Sequence, residues 1–446
     1  MADLVWGPQT TILLLGAGLF LSIRLRFVHL RRLGLQFRLL FSRKNYGETG
    51  VPSDGDISPF QALTTSLATV VGNGNIAGVC TSIAMGGPGA VFWMWILAAL
   101  GMATKMVEAI LGHKFRKILP NGSIAGGPMY YLRDGLNLPW LAGAYALFMA
   151  GKATFATTII QSNSIALALQ SELNLRPWVA GLGLSILTWL VIVGGIRSIG
   201  KVTEYLSPLM VVFYIFGGLF TIIYFADRIP DALHLIFVGA FKPSALGGGV
   251  VGVTVARAIR YGMARGTYSN EAGTGTAAVL HAPSRTSEPA RQGFLGALDV
   301  FIDTMVICTI TALAVLTSGA WTHGTSTEMT ANAFNLALPT VGGIIVAASS
   351  FLFGYSSLIA VSYYGKIALS FLLGPWIHKT YNWIYCLFIV VGAMLEVEVA
   401  WSVGDMANGL MALTNLVGVV GLSGLAVKSV RAYLHKLKSP GTLIPS

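Results

Sequence analysis

Charge is scarce in this sequence. Of 446 residues only 11% are Asp, Glu, Lys or Arg, whereas 54% are hydrophobic and the mean hydropathy is +0.70. An average soluble domain carries roughly 25% charged residues. So little charge cannot dress a soluble surface, and the composition predicts an all-α polytopic membrane protein embedded in a lipid bilayer. The formal charge of +11 would suit a nucleic-acid partner on a soluble face, but it is spread over loops between apolar runs. That is a topology signal, so no nucleic acid is expected. Cysteine is also rare. Cys80, Cys308 and Cys386 each lie in an apolar run without metal-ligand spacing, which excludes a disulfide framework and a thiolate metal site. The N-terminus lacks a basic n-region, so the first apolar segment is not expected to be a cleaved signal. There is no His-Glu-x-x-His and no convincing nucleophile with its base, which argues against an enzyme. Gly151-Lys152 is not followed by Ser or Thr, so it is no phosphate-binding loop and ATP is not the expected energy source.

What the chain does have is long apolar runs. Segments of about 20 residues or more, enough to span, read at 5–32, 57–84, 89–112, 138–171, 177–196, 202–225, 248–282, 290–319, 337–372, 380–401 and 405–435, giving eleven transmembrane helices. Basic residues crowd alternate loops. On one side lie Arg24, Arg31, Arg38 and Lys44, then Lys114 to Arg133, Arg197 and Lys201, Arg285 and Arg291, Lys366 and Lys379, and Lys428 to Lys438, whereas the loops of the opposite side hold only Arg176, Arg228 and Lys242. The positive-inside rule then puts the N-terminus outside and the C-terminus in the cytoplasm. Setting the first helix aside leaves ten, and a repeat of five helices must insert its second copy upside down. This divides the chain into residues 1–45, 46–226, 227–438 and a tail at 439–446.

The organising stretch is Leu67-Ala68-Thr69-Val70-Val71-Gly72-Asn73-Gly74-Asn75-Ile76-Ala77-Gly78. Its central glycines and asparagines interrupt a spanning helix and strand backbone groups that hydrocarbon does not tolerate. No strand precedes Gly72-x-Gly74-x-x-Ala77 and no acid follows about 20 residues on, so a dinucleotide fingerprint is excluded. Close helix packing on glycine is the plain alternative. Five segments later comes a matching run, Gly262 to Thr276, rich in Gly, Ser and Thr. Paired interruptions in two halves point to a transport site, with N–H groups near Asn73, Gly74 and Asn75 for a carboxylate. Carbonyls of Val70, Gly266, Thr267 and Tyr268 would accept from an ammonium. Arg265 and Glu271 flank the second interruption as gate candidates or as a structural ion pair, and Asp299 and Asp303 sit four apart on the next helix.

These residues resemble the alanine or glycine:cation symporter family of sodium-coupled amino-acid transporters. The resemblance is carried by Gly74-Asn75-Ile76-Ala77-Gly78-Val79, Gly86-Gly87-Pro88-Gly89-Ala90-Val91-Phe92-Trp93, Gly101-Met102-Ala103-Thr104-Lys105, Gly126-Gly127-Pro128-Met129-Tyr130-Tyr131, Ser269-Asn270-Glu271-Ala272-Gly273 and Asp303-Thr304, in order from residue 60 to 430. It implies the leucine-transporter fold, a five-plus-five inverted repeat after an extra N-terminal helix. It also implies symport of a small neutral amino acid with Na⁺ into the cell, across the cell membrane. By the same resemblance Gln161 binds the substrate carboxylate. A sodium site between the first and eighth core helices would take the carbonyls of Ala68, Val71 and Phe353 and the hydroxyls of Ser356 and Ser357. Two positions depart from the family pattern: Thr274 stands where methionine is usual, and Val361, four residues after Ser357, where tryptophan is usual. Both predict a roomier substrate pocket and a larger polar substrate such as glutamine. The rivals are an ion channel and a proton-coupled amino-acid carrier; a monomer is the expected unit.

Overall fold

The computed structural model describes residues 7–41, 55–120, 122–242, 255–324, 326–395 and 398–438. The loop cations Arg43 and Lys44, the boundary at 45/46, the start of the 248–282 segment and the tail at 439–446 lie outside them.

The chain is almost wholly helical, and each helix begins or ends where the local sequence dictates. Helix α1 (Pro8–Arg24) is followed by two short helices, α2 (Val28–Arg31) and α3 (Leu33–Phe41), because Arg26 and Phe27 adopt left-handed backbone, so the 5–32 segment stops early. Helix α4 (Pro59–Val70) opens on a capping box in which Ser58 and Gln61 satisfy each other's backbone N–H, with Pro59 in the first turn. It breaks at Val71, whose backbone is extended. A π turn (Gly74–Gly78) and α5 (Val79–Gly86) resume it at 52° to α4. Helix α6 (Ala90–Lys114) follows. A short hairpin pairs Lys117–Ile118 with Ile124–Ala125, and then come α7 (Pro128–Leu136) and α8 (Pro139–Gly151). A π segment (Lys152–Thr157) runs from α8 into α9 (Thr158–Leu173), and α10 (Pro177–Ile192) and α11 (Gly195–Tyr224) complete the first half.

The second half starts with α12 (Ile229–Phe241), in a stretch that the sequence reading left between spans. Helix α13 (Val255–Asn270) breaks before α14 (Thr276–His281). Glu271, Gly273 and Gly275 all have positive φ, and three left-handed residues within five cannot continue a helix. Helix α15 (Pro289–Val300) passes through a π segment (Phe301–Cys308) into α16 (Thr309–Ser318). Helix α17 (Ser326–Ala337) likewise falls between the expected spans, and α18 (Val341–Leu373), α19 (Ile377–Met394), α20 (Glu398–Gly421) and α21 (Ser423–Lys436) follow it. The segment read at 405–435 is therefore two helices.

Among the described residues, Ala90–Lys114, Gly195–Tyr224, Pro289–Ser318, Val341–Leu373 and Val399–Gly421 are long and apolar enough to cross a membrane, and Pro59–Gly86 joins them if its bent pair counts as one. Helix α6 is central, with α15, α13, α14 and α1 packed on it. Close approach is enforced by glycine: a Cβ on Gly112 would stand 2.2 Å from the Ala278 carbonyl, and one on Gly262 2.3 Å from that of Ala90. Outward, α10 and α11 expose Leu190, Phe216 and Ile223, the apolar surface of a multi-pass protein facing hydrocarbon. The three cysteines are free and buried, as expected of apolar fillers.

Candidate functional site: two interrupted helices around a closed cavity

The α4–α5 break and the start of the α13–α14 break meet at a cavity lined by Thr69, Val70, Gly72, Gly74, Lys152, Thr157, Gln161, Tyr268 and Glu271. Its volume of about 20 Å³ holds one water molecule and no more. An amino acid enters this conformation only if the walls move apart. Val70, Gly74, Gln161 and Tyr268, expected at the substrate, line the wall, and so does Glu271, expected only as a gate or in an ion pair with Arg265. Thr69, Gly72, Lys152 and Thr157 were not expected there. The unusual Lys at 152, placed in a π segment that rotates it inward, was the one signal that could have found it.

Gln161, 4% exposed, accepts from Asn73 Nδ2 through its Oε1 at 2.9 Å, and Asn73 Oδ1 in turn accepts from the Ser350 hydroxyl at 2.6 Å. Asn75 is turned away. Its side-chain oxygen accepts from Gly72 N–H at 2.9 Å, its own N–H donates to the Gly72 carbonyl at 3.0 Å, and its Nδ2 donates to Asp303 at 2.6 Å. Asn75 therefore seals the break internally, and its N–H is not open to a carboxylate as the sequence reading had it.

The second interruption differs more from expectation. Helix α13 continues through Gly266, Thr267 and Tyr268, and the Thr267 carbonyl is taken by Glu271 N–H at 2.9 Å. The break lies at 271–275, one turn further on, so of the three expected acceptors only Tyr268 reaches the cavity, through its side chain. The orphan groups of the break are satisfied by protein. Lys105 on α6 donates to the last carbonyl of α13, Asn270, at 2.8 Å, and Glu108, three residues on, accepts from Gly275 N–H at the start of α14 at 3.1 Å. Lys105 thus places a positive group at the C-terminal dipole end of α13, and the Glu108 carboxyl takes up an orphan N–H at the start of α14. Asn415 donates to the Gly273 carbonyl and Tyr145 to that of Thr274, each at 2.8 Å.

Thr274 and Val361 are buried outside the cavity wall. The Thr274 hydroxyl is committed to the Glu271 carbonyl at 2.6 Å. The structural basis offered for a roomier pocket is thereby withdrawn. Arg265 and Glu271 do not pair either. Arg265 lies within α13, whereas Glu271 is the first residue beyond it and has left-handed backbone, so the two are carried apart. Arg265 instead meets Asp405 at 3.3 Å and lies over the Trp401 ring, which also packs on Tyr268. Glu271 forms a buried ion pair with Lys152 and accepts from the Tyr364 hydroxyl at 3.2 Å; the same hydroxyl lies 2.9 Å from Thr69 Oγ1. Asp299 and Asp303 are likewise absorbed. The first pairs with Lys105 at 2.6 Å, and the second accepts from Asn75 and, at 2.8 Å, from Ser269.

The oxygens expected for sodium do converge. Ser357 Oγ lies 3.1 Å and Ser356 Oγ 3.4 Å from the Ala68 carbonyl, and Ser356 also donates to the Phe353 carbonyl at 2.9 Å. All four residues are fully buried; the fifth expected ligand, Val71, is buried at the end of α4, three residues after Ala68. Uncharged oxygens from α18 and the end of α4 form a hard-donor set of the kind Na⁺ takes.

Two interrupted helices enclosing a polar, closed cavity with an adjacent set of hard oxygens define the class: a membrane transport protein. The chain belongs, more particularly, to the family described as the Sodium:alanine symporter family, which matches residues 1–443. It is 42% identical over 438 residues to the sodium/alanine symporter AgcS of Methanococcus maripaludis, covering 96% of this chain and 95% of that one. It is 34% identical over 443 residues to a Bacillus subtilis protein named "Probable sodium/glutamine symporter GlnT", covering 98% and 90%. Among solved structures, a variant of the Eremococcus coleocola manganese transporter superposes with a TM-score of 0.50 at 15% identity, covering 85% of this chain and 81% of that one, a likeness of fold alone.

Proposed function

We propose that the protein imports a small neutral amino acid, of the alanine or glycine class, together with Na⁺ by alternating access. The observation that carries this reading is the convergence of the Ala68 and Phe353 carbonyls with the Ser356 and Ser357 hydroxyls behind the cavity wall, where the cation would stabilise the broken end of α4. The N–H groups at the start of the π turn, Asn73 and Gly74, with the Gln161 amide, take the carboxylate; the Val70 backbone and the Tyr268 ring face the ammonium side. Lys152 and Glu271 neutralise each other, which suits a substrate of no net charge.

In this reading eleven segments cross the cell membrane, α1 first and then two inverted sets of five that begin at the two interrupted helices, with the N-terminus outside and the C-terminus cytoplasmic. The supporting observation is that the interrupted helices stand at the head of each set. Transport is tested with purified protein in proteoliposomes. Labelled alanine should accumulate only under an inward Na⁺ gradient and should exchange with unlabelled alanine in counterflow. Uptake that follows a proton gradient in Na⁺-free buffer would overturn the sodium reading, and loss of counterflow would favour a channel. Competition by unlabelled glutamine decides substrate size.

A further inference from the structure

Helices α2 and α3 and helix α21, some 400 residues apart in the chain, face each other across a groove holding two cavities of about 320 Å³ each. Arg31, Arg32 and Arg38 line it from one side, and Arg431 and Lys438 from the other, all exposed. No Asp or Glu lines either cavity among the described residues. The nearby acid Glu288 is already paired with Lys436 on α21. The groove floor is apolar, made by Leu35, Leu39, Leu434 and Leu437. Five cations gathered around one groove repel one another, and an anion lying among them would relieve that repulsion.

The walls say which anion. Helix α1 exposes Ile12, Leu13, Leu19, Phe20 and Ile23 along its outer face, and it ends at Arg24 and Arg26, which line the neighbouring cavities. An apolar, lipid-facing strip thus runs into a basic, apolar-floored groove at the membrane end to which the charge distribution assigns the cytoplasm. A free phosphate ion would make no use of the strip or the leucine floor. We infer that this groove binds the headgroup of an anionic phospholipid, its phosphodiester among the arginines and its acyl chains along α1. The bound lipid would clamp the N-terminal helices to the C-terminal one.

The experiment is native mass spectrometry of the full-length protein, with phosphatidylglycerol, phosphatidylcholine and inorganic phosphate offered separately. Wild type should retain phosphatidylglycerol and not phosphatidylcholine, and inorganic phosphate at equal concentration should not displace it. Each basic residue near a lipid surface contributes about fivefold. The R31Q/R32Q/R431Q/K438Q variant should therefore lose retention by at least about tenfold, whereas K114Q/K117Q, at another exposed basic stretch, should retain it. If the quadruple variant does not fold, the pairs R31Q/R32Q and R431Q/K438Q replace it, each expected to lose part of the binding. Equal retention by variant and wild type, equal binding of phosphatidylcholine, or displacement by phosphate would each overturn the assignment.

Discussion

Ser356 and Ser357 are adjacent on α18, so their side chains diverge by about 100°, yet both hydroxyls reach the single carbonyl of Ala68. That is possible because α4 ends two residues later and the Gly72 N–H, which a continuing helix would aim at this carbonyl, is taken by Asn75 Oδ1. Replacing both serines by alanine should raise the Na⁺ concentration for half-maximal uptake at least about tenfold, with folding preserved. Unchanged sodium dependence would show that the cation binds elsewhere. The Lys152–Glu271 pair makes a second residue-scale prediction. Both groups are buried, so Lys152→Ala leaves a lone carboxylate in a low-dielectric wall, at a cost of roughly 3–5 kcal/mol. The melting temperature of the purified variant should fall clearly below wild type, and the double change with Glu271→Gln should recover most of the loss. A melting temperature unmoved by Lys152→Ala would mean the pair is solvated.

At the scale of the element, the two breaks are held open by different means. The first is closed on itself by Asn75 and leaves its carbonyl end to α18; the second is capped at both ends by α6, through Lys105 and Glu108. The first therefore has backbone to offer a ligand, and the second has mainly side chains. Gly74 stands where the π turn passes the Tyr268 ring, and a Cβ there would lie 3.2 Å from ring carbon Cδ1. Gly74→Val adds two further methyl groups and should abolish uptake while the protein still reaches the membrane. Wild-type uptake by this variant would reduce the glycine to a packing role. Lys105→Met removes the cation from the C-terminus of α13 and strands Asp299. It should destabilise the protein by several kcal/mol on the scale of a broken buried pair, read as a lower melting temperature; a change under about 1 kcal/mol would contradict the capping role.

At the scale of the whole molecule, the starts and ends of the two interrupted units are tied together at one end. Asp56 N–H donates to the Pro283 carbonyl at 2.8 Å, Arg285 N–H donates to the Ile57 carbonyl at 2.7 Å, and Arg197 pairs with Asp56 at 3.0 Å. This latch joins the segment just before α4 to the segment just after α14, so its release would let the two interrupted units part at that end. Asp56→Ala should shift the population toward a form open there. The shift would be read as faster labelling of a cysteine placed at Thr69, measured on a background from which Cys80, Cys308 and Cys386 have been removed. Labelling no faster than in the parent would show that closure rests on other contacts.

Much of this was legible in the sequence because hydrophobic length and helix-breaking residues act locally. Low charge, the eleven apolar stretches, the interruption at Gly72-Asn73-Gly74 and the family motifs depend on composition and order alone. Among the described residues the stretches fall on helices, some of them interrupted, by glycine at Gly72 and Gly74 and by left-handed Arg26 and Phe27 in the first. The sequence does not mark α12 and α17 as spans because neither, at 13 and 12 residues, carries an apolar run long enough to cross. Which residues face the cavity was decided only in three dimensions. The π segment turns Lys152 inward, and three positive-φ residues move the second break past Tyr268. Partners more than 100 residues away, Lys105, Glu108 and Asn415, take the backbone groups that local sequence leaves unpaired. A chain can specify where a helix must stop from its own residues, but what then satisfies the broken end depends on which distant side chain the packing delivers.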